Sequence, residues 1–194
     1  MIYKDSAAEV TLEIKKIWMT QFHRWIMHHC HEGTCDKMNE LLCAESDWAS
    51  LQVFVNSLTL EQGERENMIK KFTSSLGHLY PGYMTDLKNA KEFRTLKDVV
   101  DKSCYGPAFN MIKDPNEMDD SGANVSNDTI DDIQKRDLAQ KYSLAYMGQF
   151  HFATFYAYLK LKEIEITNLF QLATLVKTKI PRNYNAWNKY VLPW

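Results

Sequence analysis

One cluster of residues in this sequence could bind a metal ion. The run His28–His31 reads His-His-Cys-His, and Cys35 follows shortly after it. Zinc takes four nitrogen or sulfur ligands in a tetrahedral arrangement, usually supplied as two short-spaced pairs. On a helix His28 and His31 would share one face, and Cys35 could fold back past Gly33. The cluster lacks a second pair of ligands at a distance, so we predict no metal. We favour a helix end whose histidines lie near the negative C-terminal end of the helix dipole. A zinc-dependent protein remains an alternative.

Nucleophilic catalysis is the second chemistry that the residue types allow. The four cysteines are Cys30, Cys35, Cys43 and Cys104. No local context that would activate a thiol accompanies them, and a buried inert thiol is far more common than a reactive one. Their low density favours reduced thiols over a disulfide scaffold. The phosphate-binding pattern GxxxxGK[ST] is absent from the sequence, so we do not expect this chain to bind ATP.

Two pairs of carboxylates could be read as general acid–base groups. Glu45 and Asp47, like Glu163 and Glu165, lie two positions apart. On a helix such residues point about 200° away from each other, so neither pair would converge on a substrate. We therefore predict no catalytic residues and no cofactor, and interpret these carboxylates as solvated or interface residues. The residues predicted for a possible interface are Glu45, Asp47, Tyr80, Lys160, Lys162, Glu163 and Glu165.

Composition narrows the class of protein. The chain has 194 residues, 45% of them hydrophobic and 12% aromatic, as expected for a globular fold. Its net charge of −2 gives no basic footprint, which argues against nucleic-acid binding. No apolar run reaches the roughly 18–20 residues that a membrane span needs, and the first residues lack a signal-peptide core.

Apolar periodicity predicts an all-α fold of packed long helices. One helix is expected from Ala7 to about His31, ended by Gly33, and an aromatic helix from Leu144 to Lys162 near the centre. Thr59 and Gln62 have the spacing of a capping box. His151 is expected to form a hydrogen bond in the core. The residues predicted for the structural core are Trp18, Phe22, Trp25, Phe150, Phe152, Phe155, Tyr156 and Leu159.

Shorter helices are predicted between these two. The segment from Trp48 to Val55 is interpreted as helix, although its residues would also suit a strand. Two more helices are expected near Tyr83 to Asn89 and Phe93 to Val100. A long helix is expected to begin near Ile130 and to run without a break into the aromatic helix.

The chain is predicted to contain two helical units. Residues 1–113 form the first and residues 130–194 the second, which packs on the first. Between them, residues 114–129 are acidic and lack apolar periodicity, so we expect a mobile surface loop. The similarity of Met19–His23 to Met147–His151 hints at a duplicated helical unit.

The stretch Met147–Phe170 resembles the C-terminal helix of V-type ATPase subunit d, a family that also has archaeal members. The family pattern there is Asn-Gln-Phe-His-Phe, an aromatic pair, Lys-Leu-Lys-Glu-x-Glu and an Asn. The matching positions are Gln149, Phe150, His151, Phe152, Phe155, Tyr156, Lys160, Leu161, Lys162, Glu163, Glu165 and Asn168.

The resemblance extends from about Ile14 to the C-terminus. Gly33 to Ser57 is similar to a second family pattern, in which Cys35, Ser46 and Trp48 are departures. Further matches are Leu79–Gly82, similar to Leu-Tyr-Pro-x-Gly with one residue missing, and the ending Tyr190–Trp194. Family members are longer at the N-terminus, so the chain is expected to be a fragment, a split product or a shortened paralogue.

The resemblance implies a fold and a function. The fold would be part of a funnel-shaped protein made of pseudo-repeated helical units. The function would be that of a non-catalytic subunit of a V-type proton-transporting ATPase, which couples the central stalk to the proteolipid ring. Its partners would be the stalk subunits and the ring, with the membrane nearby but not spanned. It would lie on the cytoplasmic face of a vacuolar or endomembrane. A shortened helical adaptor outside the pump is the main alternative.

Overall fold

The computed structural model describes residues 7–112, 129–148 and 150–179, and this part of the chain contains helices and no strands. The predicted all-α class is confirmed. The helices are α1 Ala7–His29, α2 Glu32–Ser57, α3 Gln62–Phe72, α4 Met84–Asn89, α5 Phe93–Asp101, α6 Gly106–Phe109, α7 Ile130–Met147 and α8 Ala153–Lys177.

The chain divides into two compact units, Met1–Gly106 and Pro107–Trp194. In the first unit α1, α2 and α3 pack against one another, and α4 packs on α5. In the second unit α7 packs along α8. Nearly all of the predicted acidic loop lies outside the described residues, which resume at Thr129.

Helix α2 forms the core of the first unit. Leu42, Trp48, Leu51 and Phe54 are completely buried, and they lie on several sides of the helix. A helix whose residues are buried around most of its circumference has neighbours on every side. The ring of Trp48 contacts that of Tyr105 edge to face, with centroids 5.6 Å apart. The predicted helical segment after Trp48 is confirmed as the second half of α2.

Polar groups help to attach helix α1 to its neighbours. His23 Nε2 lies 2.7 Å from Asn39 Oδ1, and Lys16 donates to the carbonyl of Lys71. The prediction that Trp18 and Trp25 belong to the core is wrong, because they are 49% and 52% exposed. Phe22 is half-buried and stacks on Trp18 at 5.1 Å. Among the described side chains of α1, the buried apolar residue is Ile26, which is 6% exposed, and it lies on a different face from Trp18 and Trp25.

Two predicted helix ends are wrong and one capping box was missed. Gly33 lies inside α2, and α1 ends four residues earlier at His29. The N-cap of α3 is Glu61, whose side chain makes no capping bond, while the Thr59 hydroxyl donates to Asn56. A capping box begins α7 instead, where Thr129 and Asp132 satisfy each other's backbone N–H groups.

The predicted continuous helix from Ile130 into the aromatic stretch is interrupted. Helix α7 ends at Met147 and α8 begins at Ala153. Between them Phe150 has φ of 66°, in the left-handed region that non-glycine residues seldom adopt. A side chain at Gly148 would overlap the His151 ring. The close packing of that ring on Gly148 thus accompanies the break that separates the two helices.

Candidate interaction surfaces

The outer face of α8 is apolar and exposed. Its large side chains recur at intervals of three, four or seven residues, spacings that place residues on one stripe of a helix. The residues of this outer stripe are Phe155, Leu159, Ile166, Leu169 and Val176, all exposed. Phe152 continues the stripe before the helix begins, and its ring stacks on Phe155 with centroids 6.2 Å apart.

The prediction that this stripe is core is wrong. Phe155 is 67% exposed, and Phe150, Phe152 and Leu159 are exposed as well. Tyr156 lies beside the stripe and is half-buried. The stretch is apolar on most of its circumference, so periodicity alone allows either of two inner faces.

The inner face of α8 begins with two small residues. Ala153 and Ala157 are completely buried, and Leu161, Asn168 and Leu175 continue the same face. Small side chains allow two helices to approach closely, because the interaxial distance depends on the residues at the contact. Close packing of α8 along α7 therefore leaves the bulky residues on the opposite face.

A charged rim lies beside the outer stripe. The predicted i,i+3 pair is confirmed, since Lys160 Nζ lies 3.3 Å from Glu163. Lys162 donates to Glu165 at 2.6 Å, and this hydrogen bond raises the pKa of the lysine. These ion pairs stay within α8 and are solvent-exposed, so they stabilise the helix only slightly.

His151 does not make the predicted core hydrogen bond through Nδ1. That nitrogen is buried and has no hydrogen-bond partner within the described residues. The ring packs on Gly148 at the α7–α8 break, and the hydroxyl of Thr154 donates to the His151 carbonyl at 3.1 Å. The His151 ring therefore packs at the chain turn between α7 and α8.

A polar stripe on α2 fastens a long loop to the core. The Asp47 carboxylate accepts the backbone N–H of His78 at 2.7 Å and that of Leu79 at 3.2 Å. It also accepts the hydroxyl of Tyr105 at 2.8 Å. Ser46 donates to the carbonyl of Leu76, also at 2.8 Å. Since Asp47 is completely buried, its prediction as an interface residue is wrong.

Gly77 permits this close approach. Its φ of 125° is unfavourable for other residues, and an added Cβ would overlap the Asp47 carboxylate. Glu45, on the same turn of α2, is also buried, so its predicted interface role is wrong for the same reason. Tyr80 follows the loop and is exposed, and its interface role remains a prediction.

Burial controls the ionisation of this stripe. Desolvation raises the pKa of Asp47, while the Tyr105 hydroxyl and the two backbone donors oppose the shift. Burial and the charge of Asp47 raise the pKa of Cys43 to about 11, against a hydrogen bond from the Gly77 backbone. A thiol with so high a pKa is not a nucleophile at neutral pH. The stripe is thus suited to holding the loop and not to catalysis.

The His28–Cys35 cluster is occupied with local contacts. The His29 ring stacks on Trp25 at 4.9 Å, and its Nδ1 lies 2.9 Å from the Trp25 carbonyl. The Cys35 thiol donates to the carbonyls of Ile26 and Cys30. Across the described ranges, no three His, Cys, Asp or Glu side chains converge into a metal-binding group.

Sequence reasoning missed the joining of two segments. The patterns at Gly33–Ser57 and Leu79–Gly82 are separate in the sequence. Asp47 joins the first stretch to His78 and Leu79, whose backbone N–H groups are 31 and 32 positions away. Backbone donors have no sequence signature, so only Gly77 could have indicated a close approach. None of the helices described in this chain is long and apolar enough to cross a membrane.

Comparison with known proteins assigns the chain to a family. The model of the ATP synthase (C/AC39) subunit family matches residues 3–184. The chain therefore belongs to that family. It is similar to V-type proton ATPase subunit d2 of Arabidopsis thaliana, with 27% identity over 144 residues, which cover 74% of this chain and 38% of that protein.

Other relatives carry the same description. V-type proton ATPase subunit d of Neurospora crassa is 24% identical over 169 residues, covering 83% of this chain and 46% of that protein. The subunit d of Dictyostelium discoideum is 24% identical over 150 residues, covering 77% and 39%. The chain thus spans less than half the length of these curated relatives. The predicted family is confirmed.

Proposed function

We propose that this chain is a non-catalytic subunit of a V-type proton-transporting ATPase. The observation that carries the proposal is the family match over residues 3–184 together with relatives named V-type proton ATPase subunit d. In this role the chain couples rotation of the central stalk to the proteolipid ring, on the cytoplasmic face of a vacuolar or endomembrane. Its partners are the stalk subunits and the ring.

The outer stripe of α8 supports a role in assembly. An exposed row of large apolar side chains is costly to leave in water, and contiguous apolar surface marks interaction sites. The row from Phe155 to Val176 spans most of α8 and is flanked by the charged rim. We propose that the outer stripe is a contact face for another part of the pump. The charged residues from Lys160 to Glu165, and Tyr80, are also proposed as interface residues.

Affinity purification of the native protein tests the assignment. We expect pump subunits to be recovered with the wild-type chain, and their recovery to fall when Leu159→Asp and Ile166→Asp are introduced together. The matched control is the pair Thr167→Asp and Thr174→Asp, exposed polar positions of the same helix. Both variants must retain the helical signal in circular dichroism.

Two results would contradict the proposal at different levels. Recovery of the wild-type chain without any ATPase subunit would remove the pump assignment and favour the adaptor alternative. Equal recovery with both double variants would leave the pump assignment standing and remove the outer stripe as its contact face.

A further inference from the structure

A basic cleft lies between α3 and the connection from α4 to α5. Its volume is about 600 Å³, within the range of small-molecule sites. One face of α3 forms a wall, because its lining residues recur at helical spacing. The lining residues are Leu58, Leu60, Gln62, Arg65, Glu66, Ile69, Lys70, Lys88, Asn89 and Lys91.

The charge of this lining contrasts with that of the whole chain. Four cationic side chains and one carboxylate line the cleft, whereas the chain as a whole has a net charge of −2. The one carboxylate, Glu66, already accepts the amide N–H of Gln62 at 3.4 Å. Three exposed lysines, Lys70, Lys88 and Lys91, make no side-chain hydrogen bond or ion pair within the described part of the chain. Their ammonium groups are therefore available to a ligand in the cleft.

Arg65 fixes the back of the cleft. Its Nε donates to the hydroxyl of Ser57 at 3.4 Å, and its guanidinium also donates to the carbonyl of Ala90 on the opposite wall. These bonds join the two walls and leave further guanidinium N–H groups, since arginine has five. The apolar part of the lining, here called the apolar floor, consists of Leu58, Leu60 and the buried Ile69.

We propose that the basic cleft binds a phosphate ester that carries an apolar group. A phosphate monoester has a charge of about −1.5 to −2 at neutral pH, and lysines bind it as point charges. Lys70, Lys88 and Lys91 receive the phosphate, and the apolar group lies on the leucines and Ile69. Either a soluble phosphate ester or the headgroup region of an anionic lipid has this chemistry. The site is independent of the pump assignment.

Binding to the purified 194-residue chain tests the proposal. The probes are inorganic phosphate, phenyl phosphate, an acidic peptide, and phosphatidylcholine vesicles with and without phosphatidic acid. We expect phenyl phosphate to bind more tightly than inorganic phosphate because of the apolar floor. The double variant Lys88→Ala and Lys91→Ala should weaken its binding about tenfold, and high salt should weaken it further.

The control pair Lys15→Ala and Lys102→Ala removes two exposed lysines that do not line the cleft. The proposal is supported if the cleft variant loses binding and the control variant does not. Binding of phenyl phosphate would then indicate a soluble ligand, and binding of phosphatidic acid vesicles alone would indicate a lipid. Equal losses in both variants would show diffuse electrostatic attraction and overturn it. The proposal would also be overturned if no phosphate probe bound saturably, or if only the acidic peptide bound.

Discussion

The two longest helices, α2 and α8, differ in which residues they bury. Helix α2 has 26 residues and buries Ser46, Asp47, Ser50 and Ser57 among its large apolar side chains. Helix α8 has 25 residues and exposes most of its large apolar ones. A buried polar group is tolerable when its hydrogen bonds are made, as they are for Asp47. In these two helices, burial depends on whether polar groups find hydrogen-bond partners and on how closely the neighbouring helix packs, rather than on side-chain polarity alone.

The largest expected contrast comes from one substitution made in each helix. Phe54→Ala should lower the free energy of unfolding by about 3–5 kcal/mol, because Phe54 is 0% exposed and its removal leaves a cavity. Phe155→Ala should lower it by less than about 1 kcal/mol, as expected for an exposed site. Urea denaturation of the two variants measures the difference. Equal losses would mean that the outer stripe of α8 is buried in solution.

Removing the carboxylate at Asp47 should cost about 2–4 kcal/mol, because two backbone N–H groups and the Tyr105 hydroxyl lose their acceptor inside the protein. The variant is Asp47→Ala, with Asp98→Ala as a control at an exposed position of α5. Thermal and urea unfolding provide the measurement. A loss no larger than that of the control would show that the loop is held by other contacts.

Stability should also fall with rising pH because of Asp47. Its pKa in the folded protein is raised above the ordinary value of 3.8, so the folded state holds this proton more tightly than the unfolded state. The resulting stabilisation is fully present below pH 3.8 and is lost as pH rises through the higher folded-state pKa. Unfolding free energies across this window should decline more steeply for the wild type than for Asp47→Asn. Parallel curves would contradict the assignment.

The smallest effect is expected in the charged rim. Lys160→Ala removes the ion pair with Glu163 on the surface of α8, and exposed i,i+3 pairs contribute only about 0.2–0.5 kcal/mol. Chemical denaturation at low and high salt should show a change within this range that disappears at high salt. A salt-independent loss above about 1 kcal/mol would instead indicate a packing role for the lysine stem.

The sequence allowed the helices to be predicted, but not their inner faces. Periodicity located α4 and α5 almost to the residue, because their apolar residues form single narrow faces. It failed for α8, where Ala153 and Leu159 were equally acceptable as inward positions. The choice between them depends on how closely α7 approaches, which is a property of two helices and not of either sequence segment.

For the candidate surfaces, too, contacts within one helix could be predicted and contacts between distant segments could not. The Lys160–Glu163 pair could be predicted, since both partners lie on one helix and spacing determines their distance. The attachment of Asp47 to His78 and Leu79 could not, because its partners are main-chain groups in a distant loop. The basic cleft also joins separate segments, and no local pattern relates Lys70 to Lys91.

The small residues on the inner face of α8 have a mechanical consequence. Ala153 and Ala157 are fully buried, and α7 and α8 are packed along each other. A pair of rods in contact along their length resists bending far more than either rod alone, because bending must make one slide past the other. We therefore expect the α7–α8 hairpin to bend less under a sideways load than either helix would alone.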